Sequence, residues 1–184
     1  MTKEEIIEEL KKSAKPYEEY YLDDEILSAM LSYQNPYEFV EPILEIISTN
    51  PSVDFGMPGD LVHFVEKFYK KGYEELLIDS VKKNPTSHNI LMLHRCYNDI
   101  KNPNRNEFAK VVKALKNDKS VSIEIKDIID DPQKGLGGDV DFGEVIRNGG
   151  GAFALERKIC QADDPIHGRT DFVAHVGEKI ALGA

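Results

Sequence analysis

The sequence predicts an all-α domain over residues 1–131, followed by a glycine-rich extension over residues 132–184. Three observations carry that prediction. Apolar side chains recur at helical spacing in successive segments, cap residues and prolines bound those segments, and composition changes abruptly at Asp130-Asp131-Pro132. Ten of the 13 glycines fall at or after Gly135, whereas 17 of the 23 basic residues precede Pro132, so the two parts are read as separate units.

The first helix opens at Thr2, which has capping-box spacing to Glu5 ahead of Ile6, Ile7 and Leu10; Pro16 lies past its end. Asp23 caps a second helix, expected over 24–33, that buries Ile26, Leu27, Met30 and Leu31. Asn35 before Pro36 reads as an N-cap with proline at the first helical position, and Val40, Ile43, Leu44 and Ile47 form the apolar stripe that follows, with Pro42 a candidate bend. Asp60 begins the strongest pattern, Leu61, Phe64, Val65, Phe68 and Tyr69 on one face, with Lys70 and Lys71 against the negative helix end and Gly72 as the stop. Residues 73–83 supply a helix through Leu76, Leu77 and Val81, which Pro85 ends. Thr86 or Ser87 caps the next, where Ile90, Leu93, Tyr97 and Ile100 share a face that Leu91, Met92 and Cys96 widen. A stripe that broad predicts a central helix. Asn104 or Asn106 opens a helix carrying Phe108, Val111, Val112 and Leu115. Residues 120–130 fit either a strand, through Val121, Ile123 and Ile125, or a helix, through Ile125, Ile128 and Ile129.

Asn-Pro pairs at 35, 50, 84 and 102 punctuate the chain. Short connections make successive helices antiparallel neighbours, so the expected architecture is a stack of helical hairpins, either a compact bundle or a short HEAT-like solenoid. In the extension, glycine clusters at 135–138 and 149–151 interrupt any long helix and Phe172, Ala174 and Val176 alternate as a short strand would. A small α+β subdomain and a partly irregular tail both fit.

A net charge of −10 repels phosphate backbones and anionic lipid, so nucleic acid and membrane are not expected as direct partners, while basic proteins are. Charges break the N-terminal stretch where a signal peptide needs a continuous apolar run, and Cys96 and Cys160 form no paired motif, so a reducing cytoplasm is the expected location.

Catalytic signatures are absent: there is no GxSxG, HExxH, P-loop or GxGxxG. His88 and His94, six apart on one helix, point in different directions and read as ordinary helix histidines, and Cys96 reads as a small core residue. Asp139, Asp141, Asp163, Asp164, His167, Asp171, His175 and Glu178 gather metal-ligand types in the extension without the spacing of a known ligand loop, and Cys160 there lacks a partner set by spacing. No catalytic residue, metal or cofactor is assigned on this reading.

Residues 17–25 suit recognition better. Tyr17, Glu18, Glu19, Tyr20, Tyr21, Asp23, Asp24 and Glu25 combine three tyrosines, which give rigid contact area, with five acids able to pair with Arg and Lys in a phosphate-binding cleft. The competing role is structural, with tyrosines closing the end of the bundle and acids capping the second helix. Glu38, Glu41 and Glu45 form a second acidic strip opposite the Val40–Ile47 stripe; Glu38 and Glu41 join the candidate contact set.

The phrases GDLVHFVEKFYKKG and KNPTSHNILMLHR, within residues 59–100, resemble the small all-helical immunity proteins encoded beside bacterial polymorphic and contact-dependent growth inhibition toxins, a likeness that extends over residues 1–130. The resemblance implies a cytoplasmic antidote without catalysis that binds one cognate toxin, often a nuclease, and covers its active site. Residues 132–184 depart from that pattern. Two alternatives stand beside it: a helical-repeat scaffold for protein interaction, and a metal-dependent hydrolase or nuclease site in the extension around Asp139, Asp141, His167 and His175.

Overall fold

The structure, a computed structural model, describes residues 1–132. Among these residues there are eight α-helices, one 3-10 turn and no strand. The helices are α1 (Lys3–Ser13), α2 (Asp24–Leu31), α3 (Val40–Thr49), α4 (Asp60–Glu66), α5 (Tyr73–Lys83), α6 (Ser87–Asn98), α7 (Arg105–Asn117) and α8 (Ile123–Asp130); the 3-10 turn, Pro36–Phe39, leads into α3. None is long and apolar enough to cross a membrane. The glycine-rich extension beyond residue 132, including the 172–176 alternation, Cys160 and the Asp139-to-Glu178 cluster, lies outside the described residues.

Local chemistry explains most boundaries. Thr2 and Glu5 close a reciprocal capping box at 3.2 and 2.7 Å, Asp23 accepts the Glu25 amide at 2.7 Å, and Thr86 forms a second box with Asn89. Each satisfies main-chain donors that the first helical turn leaves open. Asn104 begins α7, and Ser122 caps α8 by accepting the Ile125 amide, so residues 123–130 resolve as helix, burying Ile128 and Ile129.

Four expectations need correction. The helix opened by Asp60 stops at Glu66, not beside Gly72; residues 67–71 run on in tight turns in which each bonded amide reaches back three residues, and Lys70 adopts a left-handed φ of 60°. The Glu74 carboxylate, four residues further on, accepts the Lys70 amide at 3.0 Å, the donor that a continued α-helix would turn back to the Glu66 carbonyl. Helix α2 ends at Leu31, short of Tyr33, and Leu31 faces solvent, with no further turn of α2 to continue the stripe. Ile100 is exposed, since α6 ends at Asn98 and Asp99 takes an extended conformation. Lastly, Pro42 does not bend the middle of a helix. It lacks the amide that would close an α-turn onto residue 38, and the chain enters α3 through the 3-10 turn instead.

Alternate helices meet: α1 packs on α3, α3 on α5, α5 on α7 and α6 on α8. Helix α6 also touches α3, α5 and α7, and its buried run of Ile90, Leu91, Met92 and Leu93 makes it the central element. A chain of aromatic contacts, Tyr33–Phe39 at 5.2 Å, Phe39–Phe64 at 6.4 Å and Phe64–Phe68 at 5.8 Å, ties the 3-10 turn to α4. Cys96 is buried, as its place on the apolar face predicts.

Candidate functional site

Residues 17–20 lie beside residues 52–54. Tyr17 donates its amide to the Ser52 carbonyl at 2.8 Å, Asp54 to Glu18 at 3.0 Å and Tyr20 to Asp54 at 2.7 Å, and Glu19 and Asp54 form an isolated parallel bridge. Side chains therefore alternate. Tyr20 and Leu22 turn inward while Glu19, Tyr21 and Asp23 turn out, and opposite them Val53 and Phe55 are buried while Ser52 and Asp54 are exposed.

This alternation divides the three tyrosines. Tyr17, at a φ of 63°, is 92% exposed and Tyr21 is 72% exposed, whereas Tyr20 is only 8% exposed. The Tyr20 ring packs on Phe55 at 5.2 Å and its hydroxyl donates to the Leu10 carbonyl at 3.0 Å. Burial raises its pKa and keeps that hydroxyl protonated. Tyr20 is thus an anchor and not an exposed contact residue, a correction to its place in the candidate set.

Of the acids, Glu18, Glu19, Asp24 and Glu25 are exposed, with Asp24 and Glu25 in the first turn of α2. Asp23 is exposed as well, though one of its oxygens serves as the helix cap. Lys15 lies 3.8 Å from Glu18, an exposed pair that adds little stability. Glu38 is shared between Lys3 at 3.2 Å and Asn35 at 3.3 Å, which fastens the 3-10 turn to α1. Glu41 and Glu45 point to solvent from α3, which packs on α1. Residues 1–50 carry twelve acidic and four basic side chains, a net of −8, while residues 51–132 carry thirteen of each. The whole negative excess of the described residues is therefore in the part that bears the tyrosines.

Sequence reasoning missed Asp54 and the true setting of His88. The His88 Nε2 accepts the Phe55 amide at 3.2 Å, its ring meets the Phe55 ring edge-on at 5.5 Å, and Asp54 Oδ1 lies 3.8 Å away. Burial lowers the His88 pKa, outweighing the opposing pull of Asp54. The alternation of Ser52, Val53, Asp54 and Phe55 is the signal that could have found this short extended segment.

A second polar cluster holds the turn after α4. Tyr69 donates to Asp99 at 2.9 Å, the Lys70 ammonium sits 2.7 Å from the same carboxylate, and Asn102 bridges Tyr69 at 2.8 Å and Glu74 at 3.3 Å. The Lys70 bond, aided by the Lys101 amide and the Tyr69 hydroxyl, holds Asp99 down to about 2. These groups satisfy one another, and their arrangement describes a structural clasp. Elsewhere a groove of about 330 Å³ between the ends of α5 and α7 and the start of α8 is lined by Lys82, Lys83, Leu115, Ser122 and Ile125; it includes none of the tyrosine-bearing segment. Among the described residues no group of three or more His, Cys, Asp or Glu is placed to hold a metal ion.

Comparison with family models, with curated proteins and with solved structures finds no match to this chain.

Proposed function

We propose that this chain is an immunity-type binding protein of the cytoplasm, without catalysis, whose helical body is a rigid mount for the acidic, tyrosine-bearing segment 17–25. Its partner is a basic bacterial toxin domain, a nuclease, whose substrate groove it covers. The observation that carries this reading is the pairing of fastening and display: Tyr20 and Leu22 fix the segment while Tyr17 and Tyr21 stand in solvent among Glu18, Glu19, Asp24 and Glu25. Exposed aromatics held rigidly lose little entropy on binding, and clustered carboxylates both speed encounter with a basic cleft and compete for its phosphate contacts. The packing of alternate helices fits a stack of antiparallel hairpins, the architecture expected for such a mount.

Co-expression with the toxin domain encoded next to this gene tests the proposal. Growth rescue and a one-to-one complex are expected, and failure of both overturns it. Replacing Glu18, Glu19, Asp24 and Glu25 together by lysine is expected to weaken the complex at least about a hundredfold, since several charge pairs, each worth about 1.5 kcal/mol or more, would be lost or reversed. Unchanged affinity would refute the contact surface while leaving the toxin partnership intact. The alternative of a scaffold for another helical or extended partner draws on the separate groove beside Lys82 and Lys83. Lysine replacements at 17–25 would leave that binding untouched.

A further inference from the structure

We infer that His88 is a pH-sensitive latch that holds the 17–20 segment in place through Phe55 and Asp54. The chain of contacts is continuous. The imidazole Nε2 accepts the Phe55 amide at 3.2 Å, and Phe55 follows Asp54, whose own amide and carbonyl bind Glu18 at 3.0 Å and Tyr20 at 2.7 Å. The Phe55 ring lies between the two sides, meeting His88 at 5.5 Å and Tyr20 at 5.2 Å. One side chain of α6 thus fixes the short extended pair on which the displayed tyrosines depend.

The latch works only with a neutral ring. An acceptor at Nε2 requires the proton on Nδ1, which faces the Ser87 hydroxyl at 3.5 Å. Protonation turns Nε2 into a donor aimed at another donor, and the Phe55 amide loses its partner. The charged ring then has Asp54 Oδ1 at 3.8 Å to turn to, an oxygen that already accepts the Gly56 amide at 2.9 Å and stands largely in water. Among the described residues Asp54, from the 50–59 loop, is the charged group in ion-pair reach of the ring. Ser87 on α6 and Tyr20 on the neighbouring segment are neutral, and burial around the ring favours the neutral imidazole. Acidification therefore exchanges a main-chain bond for a solvent-facing ion pair, and the segment loosens. The effect on partner binding rests on the function proposed above; the latch itself does not.

Amide exchange of the isotope-labelled protein, followed from about pH 7.5 to pH 5 alongside the His88 ring resonances, tests this without any partner. Protection at Phe55 and Tyr20, corrected for intrinsic exchange, is expected to fall about tenfold more than at α3 and α6 core amides, the ratio for one lost hydrogen bond. The midpoint should match that of the ring, below the ordinary histidine value. His88→Gln, which keeps an acceptor but does not titrate, should remove the pH dependence, and His88→Leu should lower Phe55 protection at every pH. Protection that persists while the ring titrates would overturn the latch, as would a ring midpoint at or above the ordinary value. Because no toxin is present, that failure is distinct from a failure of the proposed function, which the co-expression assay reads.

Discussion

Acidifying the protein from pH 7 to pH 5 should cost it a calculable share of stability at one residue, His94. This side chain sits on α6 only 4% exposed, and burial drops its pKa from 6.5 to about 4. Between those two values the unfolded chain binds a proton that the folded chain refuses, so stability rises with pH through the window and is lost as pH falls. Linkage puts the loss between pH 7 and pH 5 at about 2 kcal/mol, and the limit below pH 4 at about 3 kcal/mol. For a domain of this size that corresponds to a fall in Tm of about 4–8 °C. Urea unfolding at both pH values, on the wild type and on His94→Leu, is the assay. The variant should lose about 2 kcal/mol less than the wild type on acidification, whatever its stability at pH 7. His88 shifts in the same direction but is present in both proteins, so the difference isolates His94. Equal losses in the two proteins, or a ring resonance of His94 titrating near 6.5, would refute the reasoning.

Three substitutions probe other parts of the fold. A Cβ at Gly59 would lie 2.0 Å from the Phe55 carbonyl oxygen, so Gly59→Ala should destabilise by at least about 2 kcal/mol, read as a lower urea midpoint. Tyr20→Phe removes the bond to Leu10 and should cost about 1–2 kcal/mol, with faster amide exchange at residues 17–20 and unchanged exchange in α6. Asp99→Ala should cost about 1–3 kcal/mol at neutral pH. Since the folded Asp99 pKa is depressed from 3.8 to about 2, that penalty should shrink only as pH falls through that interval, which an acid titration of both proteins would show.

Features set by neighbouring residues were legible in the sequence. Thr2 with Glu5, Asp23, and Thr86 with its following turn mark helix starts because a cap is made within three residues, and the stripes of α3, α5 and α7 need only their own spacing. What failed depended on contacts across the chain. The clasp that holds the turn after α4 depends on Asp99 and Asn102, far along the chain from Tyr69 and Lys70; the Glu74 carboxylate that accepts the Lys70 amide lies only four residues on, but no cap or stripe pattern calls for it. The candidate segment shows the same division. Its tyrosines and acids are visible as composition, but which tyrosine faces inward follows from pairing with residues 52–54, more than thirty positions away. Tyr20 and Leu22 alternate with Glu19, Tyr21 and Asp23, a period of two that is easy to overlook between helices.

The position of α6 has a consequence for how the protein comes apart. In a linear array each unit touches only its neighbours, so end units fray alone and unfolding proceeds in stages. Here α6 touches α3, α5, α7 and α8, so the units on either side share one rod and loosening either end strips contacts from it. Residues 1–132 should melt in a single cooperative step, and a chain cut before Ser87 would leave α3 and α5 with an uncovered apolar wall and no independent fold.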